Sequence, residues 1–317
     1  MTKTEQHIVV GIGELLWDCY ADSRRPGGAP ANVAFHAKQL GHEGIVCSRV
    51  GRDEMGTELV EYLERRGMET RQIQKDDRRP TGWVTVDTNR RDAPSYVIHE
   101  DVAWDYLEFA EELNSLMESA SAVCFGTLAQ RGASSREAIQ RALEVAGNAL
   151  IVYDVNLRQL WYQREWIEDS LTAANVVKLN EDEVVVLSET IGTKKAQNGD
   201  FASSMIERYE LDMVCLTRAE RGCSLYTCSD RVDEPGIDVE VADAVGAGDA
   251  FTAALISSQL RGWPIDTTAW FANRVGALVV GRQGAMPALA EELARLITDA
   301  EKRLPKDFQL RLSRRWK

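Results

Sequence analysis

Two short segments carry residue types whose spacing could do chemistry. Val239–Leu255 reads VEVADAVGAGDAFTAAL. A β-like run ends near Val241, Asp243 follows, and the small-residue turn Gly246-Ala247-Gly248 leads into Asp249 and an apolar-faced helix. Glycines let the backbone turn tightly and approach a ligand closely. Free N–H groups at a helix N-terminus make an anion site. A carboxylate in that first turn puts a base beside a hole for negative charge in transit, which phosphoryl transfer to a hydroxyl requires. Asp249 could equally cap the helix, where the dipole favours a carboxylate, and the segment alone does not separate the two.

The second segment, Pro26–Gly41, reads PGGAPANVAFHAKQLG. Gly27 and Gly28 permit close approach of a polar ligand. Asn32, in the next helix, can both donate and accept hydrogen bonds, or serve as a local cap.

These segments need a frame to bring them together. Apolar runs of strand length occur at Ile8–Ile12, Gly44–Val50, Ala122–Phe125, Leu150–Val155, Val176–Leu179 and Met213–Thr217. Helical stretches lie between them at Ala29–Leu40, Thr57–Arg66, Ser134–Ala146, Trp166–Ala173, Glu181–Glu189 and Asp200–Tyr209. Such alternation predicts an α/β fold, with a doubly wound, mostly parallel sheet covered by helices on both faces. Its loops gather on one edge, where ligands bind in such folds. Thr81–Asp87 and Ser95–His99 break the alternation, as two strands joined by the polar turn Thr88–Pro94. With the segment after Glu14 they predict a small β-sheet over the ligand edge, a lid. Lys302–Lys317 is basic and reads as a surface tail.

The 317 residues include 37 Lys+Arg and 50 Asp+Glu, a net charge of −13. That balance disfavours nucleic acid and anionic membranes as partners. No apolar run approaches the ~18–20 residues that cross a bilayer. The N-terminus is polar, and Ile8–Leu16 is apolar but contains Glu14, so no secretory leader is expected. Six cysteines form no C-x-x-C pair, so zinc is not expected and they read as reduced thiols of a cytoplasmic protein. Gly11-Ile12-Gly13 is followed by Glu14-Leu15-Leu16 without a third glycine, which argues against a dinucleotide oxidoreductase. No Walker pattern is present.

The two segments, in order, one near the N-terminus and one in the last quarter, resemble the signature patterns of the ribokinase-like carbohydrate kinases, often called the phosphofructokinase B family. The resemblance runs over nearly the whole chain. It implies one kinase domain over 1–317, with lid strands inserted at about 14–26 and 81–104. It implies that Asp249 is the base that deprotonates the sugar hydroxyl, with Gly246, Ala247 and Gly248 as its anion hole. Asp18, in GELLWD, matches the acid that grips sugar hydroxyls, and Gly28 and Asn32 match the sugar-contacting turn. Asn180 and Glu183, in KLNEDE, match an N-x-x-E motif associated with magnesium and phosphate, Glu183 acting on the ion indirectly; read alone, they make a helix capping box. Thr217–Gly222, TRAERG, stands where a T-x-G-x-x-G nucleotide loop is expected, with Ala219 in place of the middle glycine. Asn273 and Ala277 match the helix lining the adenine side. Asp243 and the Arg282–Ala288 loop lie where some relatives hold a monovalent cation. ATP, Mg2+ and K+ are thus the implied cofactors.

GELLWD, PGGAPANVA, FGTLAQR (Phe125–Arg131) and DVNLRQLW (Asp154–Trp161) most resemble fructokinases. The D-x-N-x-R word also occurs in 2-keto-3-deoxygluconate kinases, where the arginine meets a carboxylate, so Arg158 is open between two roles. Trp17, Trp83 and Trp104 could stack on a sugar or pack the lid, and Trp104 is counted among the substrate contacts. The expectation is an ATP-dependent sugar kinase acting on a primary hydroxyl, fructose first. The alternatives are 2-keto-3-deoxygluconate, a nucleoside, or a non-catalytic sensor of sugar or nucleotide. An exposed lid sheet could also pair two copies into a homodimer.

Overall fold

The most apolar strand runs are buried on both faces. Val9, Val10 and Ile12 are fully buried, as are Val152, Tyr153, Val214 and Leu216. Strands of this kind must sit inside a sheet with helices above and below. The computed structural model describes residues 6–87, 95–192 and 198–306. The polar turn expected at 88–94 and the tail beyond 306 lie outside the described residues.

In chain order the strands are β1 (Ile8–Ile12), β2 (Leu16–Cys19), β3 (Arg24–Gly27), β4 (Glu43–Gly51), β5 (Ile73–Asp76), β6 (Gly82–Asp87), β7 (Ser95–Ile98), β8 (Ala122–Gly126), β9 (Leu150–Asp154), β10 (Val176–Asn180), β11 (Met213–Thr217), β12 (Cys223–Tyr226) and β13 (Arg231–Glu234). The helices are α1 (Ala29–Gln39), α2 (Glu54–Arg65), α3 (Glu111–Ser119), α4 (Ala133–Val145), α5 (Arg164–Ala173), α6 (Glu181–Thr190), α7 (Asn198–Tyr209), α8 (Ala247–Leu260), α9 (Ile265–Val280) and α10 (Ala290–Arg303).

The main sheet has the order β13-β12-β11-β10-β9-β8-β1-β4-β5. Its strands from β11 to β5 are parallel, while β12 and β13 close one edge antiparallel. Helices α3 to α7 cover one face around Phe125, Tyr153 and Phe201. Helices α1, α8, α9 and α10 cover the other around Cys124, Phe251 and Phe271. Chain order reverses at β1, between β8 and β4, and a crevice opens outside the carboxyl ends of the strands at such a point.

The lid is a second sheet, β3-β2-β6-β7. In it β2 runs parallel to β6 and the outer pairs are antiparallel. Pro26 and Gly27 belong to β3. The β-like run ending near Val241 is not a strand. No partner strand lies beside it among the described residues, and Val241 is 67% exposed. The edge hairpin β12–β13, strand β5 and helices α3 and α10 go beyond the sequence reading.

Candidate active site

The strand-end loops supply the floor of the site and the lid its roof. Gly246 is the N-cap of α8 and holds φ 80°, ψ −4°. A Cβ there would stand 2.6 Å from Ala285, so both the left-handed turn and the close approach require glycine. Asp249 therefore lies in the first turn of α8, where the Ala247 amide donates to Ala244 O at 3.4 Å and the amides of Gly248 and Asp249 have no partner among the described residues.

Helix α1 crosses α8 and brings Asn32 to the same point. Its Nδ2 donates to Asp249 Oδ2 at 2.6 Å. Asn32 is buried, and its Oδ1 has no partner among the described residues. The chain reaches α1 through Gly28, at φ 112°, where a Cβ would stand 2.2 Å from the Glu14 carbonyl oxygen. Burial raises Asp249 to about 6; Asp154 adds to this, while Asn32, Lys178 and Arg158 oppose it. A carboxylate with that value is ionised at neutral pH yet basic enough to accept a proton.

Asp18 sits on β2 of the lid, opposite Arg25 in the ladder. Burial raises it to about 6, against the pull of Arg158. Arg158, in the loop after β9, is exposed and makes no side-chain hydrogen bond or ion pair among the described residues. Its charge reaches Glu14, Asp18 and Asp249 together. Asn156 and Gln159 beside it hold φ of 40° and 52°, conformations that non-glycine residues adopt at a cost and that cluster at functional loops.

Two charged groups were not singled out from the sequence. Lys178, on the otherwise apolar strand β10, is buried and donates to both oxygens of Asp154, at 3.0 and 3.1 Å. Thr252 Oγ1 donates to the same carboxylate at 2.8 Å. A Cβ on Gly248 would lie 3.1 Å from Lys178 Nζ, so the ammonium stands directly behind the Gly246–Asp249 turn. Burial alone would neutralise Lys178, but Asp154, Glu183 and Asp249 hold its pKa up. Glu14, at the crossing from β1 to the lid, is buried and accepts from the Ala29 amide at 3.2 Å, while its Oε2 has no partner among the described residues. Desolvation drives it to about 7. The available signal was one charged residue inside each apolar run, VVKLN and IVVGIGELL.

Asn180 and Glu183 form the expected capping box, Asn180 Oδ1 accepting from Glu183 N at 2.9 Å and Glu183 Oε2 from Asn180 N at 2.8 Å. Glu183 Oε1 also accepts from Leu157 N at 2.8 Å, tying the Arg158 loop to α6. Among the described residues no three His, Cys, Asp or Glu side chains converge as a metal cage. A magnesium ion would fit here only as a partner of nucleotide phosphates and water, with Glu183 outside its direct ligands.

At the next strand end, Thr217 closes β11 and Gly222 turns the chain at φ 88° against the Glu234 carbonyl. Ala219 takes φ 50°, the left-handed value expected of the missing glycine. Asn273 Nδ2 donates to Pro235 O at 2.8 Å, so the Gly222 loop and α9 meet at residues 234–236. Ala277 is one turn further along α9.

Two expected roles change. Trp104 does not face a ligand: it is 1% exposed, with the Arg131 guanidinium 4.0 Å over its ring and Gly82 of β6 against its Nε1. It packs the lid onto the body. Asp243 offers no open carboxylate to a monovalent cation. Its Oδ2 accepts from Arg25 Nη1 at 2.7 Å and Gly284 N at 3.1 Å, and its Oδ1 from Val245 N at 3.0 Å.

With this geometry in place, residues 5–292 match the pfkB family carbohydrate kinases. The chain belongs to the pfkB family of carbohydrate kinases. It is 33% identical over 298 residues to a sugar kinase of Pyrococcus horikoshii, covering 88% of this chain and 91% of that one. The structure of that uncharacterized kinase in complex with ATP superimposes with a TM-score of 0.77 at 31% identity, covering 92% and 99% of the two chains. Fructokinase-1 of Zea mays is 29% identical over 314 residues, 90% of this chain and 96% of that one. A Vibrio cholerae fructokinase with fructose, ADP and potassium ion bound shares the fold, with a TM-score of 0.77 at 23% identity over 92% and 98% of the chains. Among the described residues no helix is long and apolar enough to cross a membrane.

Proposed function

We propose that this carbohydrate kinase transfers the γ-phosphate of ATP to a primary hydroxyl of fructose, with Asp249 as the base. The observation that carries the reading is the Asn32–Asp249 bond at the mouth of the Gly246 turn. It fixes one carboxylate oxygen and leaves the other available at the start of α8.

The sugar would lie under the lid between Asp18, the Gly28 turn and Asn32. Asn32 Oδ1, buried without a partner among the described residues, suits a sugar hydroxyl donor. Closure of β2 and β3 over that position would exclude water and so limit hydrolysis of ATP. The nucleotide would lie along Thr217–Gly222 and Asn273. Asp249 would take the hydroxyl proton as the oxygen attacks the γ-phosphorus in line, and the bond from that phosphorus to the β,γ-bridging oxygen breaks to release ADP. The amides of residues 246–249, backed by Lys178, would stabilise the charge that builds on the transferring group. Magnesium, when bound with ATP, supplies further neutralisation of the phosphates, Glu183 acting through water. The field that holds a polyanion in a chain of charge −13 is thus local, made of backbone dipoles and two buried or unpaired cations.

A second reading has its own support. Arg158 is exposed, has no side-chain partner among the described residues and stands over the same site, which suits a carboxylate-bearing sugar such as 2-keto-3-deoxygluconate. A coupled ADP-release assay with fructose, 2-keto-3-deoxygluconate, ribose and adenosine decides between them. The highest kcat/KM with fructose is expected. Preference for the keto acid would replace fructose and make Arg158 its clamp, and no ADP release with any substrate would leave a binding protein.

A further inference from the structure

Arg25 is a lid residue that reaches out of the lid. It lies on β3, and its guanidinium packs 5.0 Å from the Tyr20 ring centre. From there Nη1 donates to Asp243 Oδ2 at 2.7 Å and Nη2 to Gln283 Oε1 at 3.1 Å. These contacts bridge 218 and 258 residues of chain. Gln283 Nε2 in turn donates to Ala242 O at 3.0 Å. Asp243 and Gln283 thus clamp the segment that runs straight into Gly246. The Asp243 carboxylate is only 14% exposed and accepts from three donors, one of them cationic. A separate metal ion at this carboxylate would have to displace the guanidinium, and a planar donor fork suits a carboxylate better than a point charge does.

We propose that Arg25 is a positioning residue that supplies, from the lid, the cation that holds the 242–246 segment, in place of a bound potassium ion. The Gly246 turn is then fully ordered only when β3 is seated, which couples lid position to the phosphoryl-transfer site. Turnover by the natural enzyme accordingly does not depend on added potassium. The inference rests on the kinase reading of the Gly246 turn, and its test has a part that does not.

The test compares the natural protein with Arg25→Met, Arg25→Lys and Asp243→Asn, each in potassium chloride and in tetramethylammonium chloride. ADP release by the natural protein should change by less than about twofold between the salts. Arg25→Met should lose about tenfold or more in kcat, with a smaller change in KM for ATP, because an interaction made in the transition state is weakened. Arg25→Lys should recover part of the loss. Potassium should restore Arg25→Met selectively, since Asp243 is then free to bind it, but should not restore Asp243→Asn. The melting midpoint without substrate should respond in the same pattern: potassium raises it in Arg25→Met and leaves the natural protein unchanged. That measurement stands even if no sugar supports ADP release, an outcome that sinks the kinase reading alone. The proposal is overturned if the natural protein needs potassium for activity or is stabilised by it, or if Arg25→Met matches the natural protein in both kinetics and melting.

Discussion

Asn32 Nδ2 donates to Asp249 Oδ2 across 2.6 Å, joining the first turns of two helices that are 217 residues apart in sequence. The bond fixes the carboxylate and lowers its pKa against the rise that burial imposes. Asp249→Asn keeps the shape of the pair but removes the base, so kcat should fall by ~10²–10⁴-fold while ATP and sugar still bind. Steady-state kinetics with calorimetric binding of ATP would check both halves. A loss of about tenfold or less would be too small for a general base. Asn32→Ala should cost less, because Asp249 remains but is no longer aimed.

The pH profile follows from the same carboxylate. Asp249 stands at about 6, raised first by burial and then by the charge of Asp154. Only its ionised form accepts a proton, so kcat/KM should fall as pH drops through about 6. Asp154→Asn removes a negative neighbour, so ionised Asp249 becomes easier to form and the acid limb should move to lower pH, by roughly 1 unit or less. An unmoved or upward-shifted limb would mean that another group controls the profile.

Glu14 predicts a stability difference with a definite sign. Its folded-state value is about 7, raised from an ordinary 4.5 chiefly by burial. A carboxyl with a raised folded value contributes stability that is complete at acid pH and is lost as pH climbs through about 7. Gln at this position cannot ionise and escapes the loss, which is on the order of 3 kcal/mol. Buried His36 and His42, lowered to about 4 and about 3, pull the other way, so the comparison must be between variant and natural protein rather than along one curve. The melting midpoint of Glu14→Gln minus that of the natural protein should grow more positive from about pH 5 to about pH 8. A difference that stays flat with pH would show that Glu14 is already ionised at the acid end.

Most of this architecture is legible in the sequence because burial writes itself into composition. Runs such as Leu150–Asp154, LIVYD, and Met213–Thr217, MVCLT, are apolar because both faces are covered. Asp249 and Asn32 could be named because each follows glycines whose only physical use is an unusual backbone. The electrostatic backing of the site was not legible. Lys178 and Asp154 lie 24 residues apart on neighbouring strands, and nothing local states that they pair or that the ammonium reaches Gly248. Trp104 and Asp243 were misjudged for a related reason. Their residue types suit a ligand, but the partners that occupy them, Arg131 and Arg25, come from distant elements. Val241 shows the converse limit: alternating valines propose a strand, yet a strand exists only where another is free to pair with it.

Ala219 allows a direct test of how much backbone strain the nucleotide loop carries. The residue holds φ 50°, while Gly222 supplies the second left-handed turn at φ 88°. A Cβ in the left-handed region costs roughly 1–2 kcal/mol, so Ala219→Gly should relieve that strain. Glycine also gains freedom in the unfolded chain, which returns roughly 0.5–1 kcal/mol of the benefit. The net expectation is a melting midpoint higher by about 1–2 °C, as a fraction of a kcal/mol gives in a chain of this size. Because the alanine already adopts the glycine conformation, a loop proposed to hold ATP needs no rearrangement, and KM for ATP should stay within about threefold of the natural value. A KM that drops by about tenfold or more in Ala219→Gly would show that the Cβ holds the loop away from its nucleotide-binding shape. An unchanged KM with a raised midpoint would show that the chain reaches that shape at a cost in stability alone.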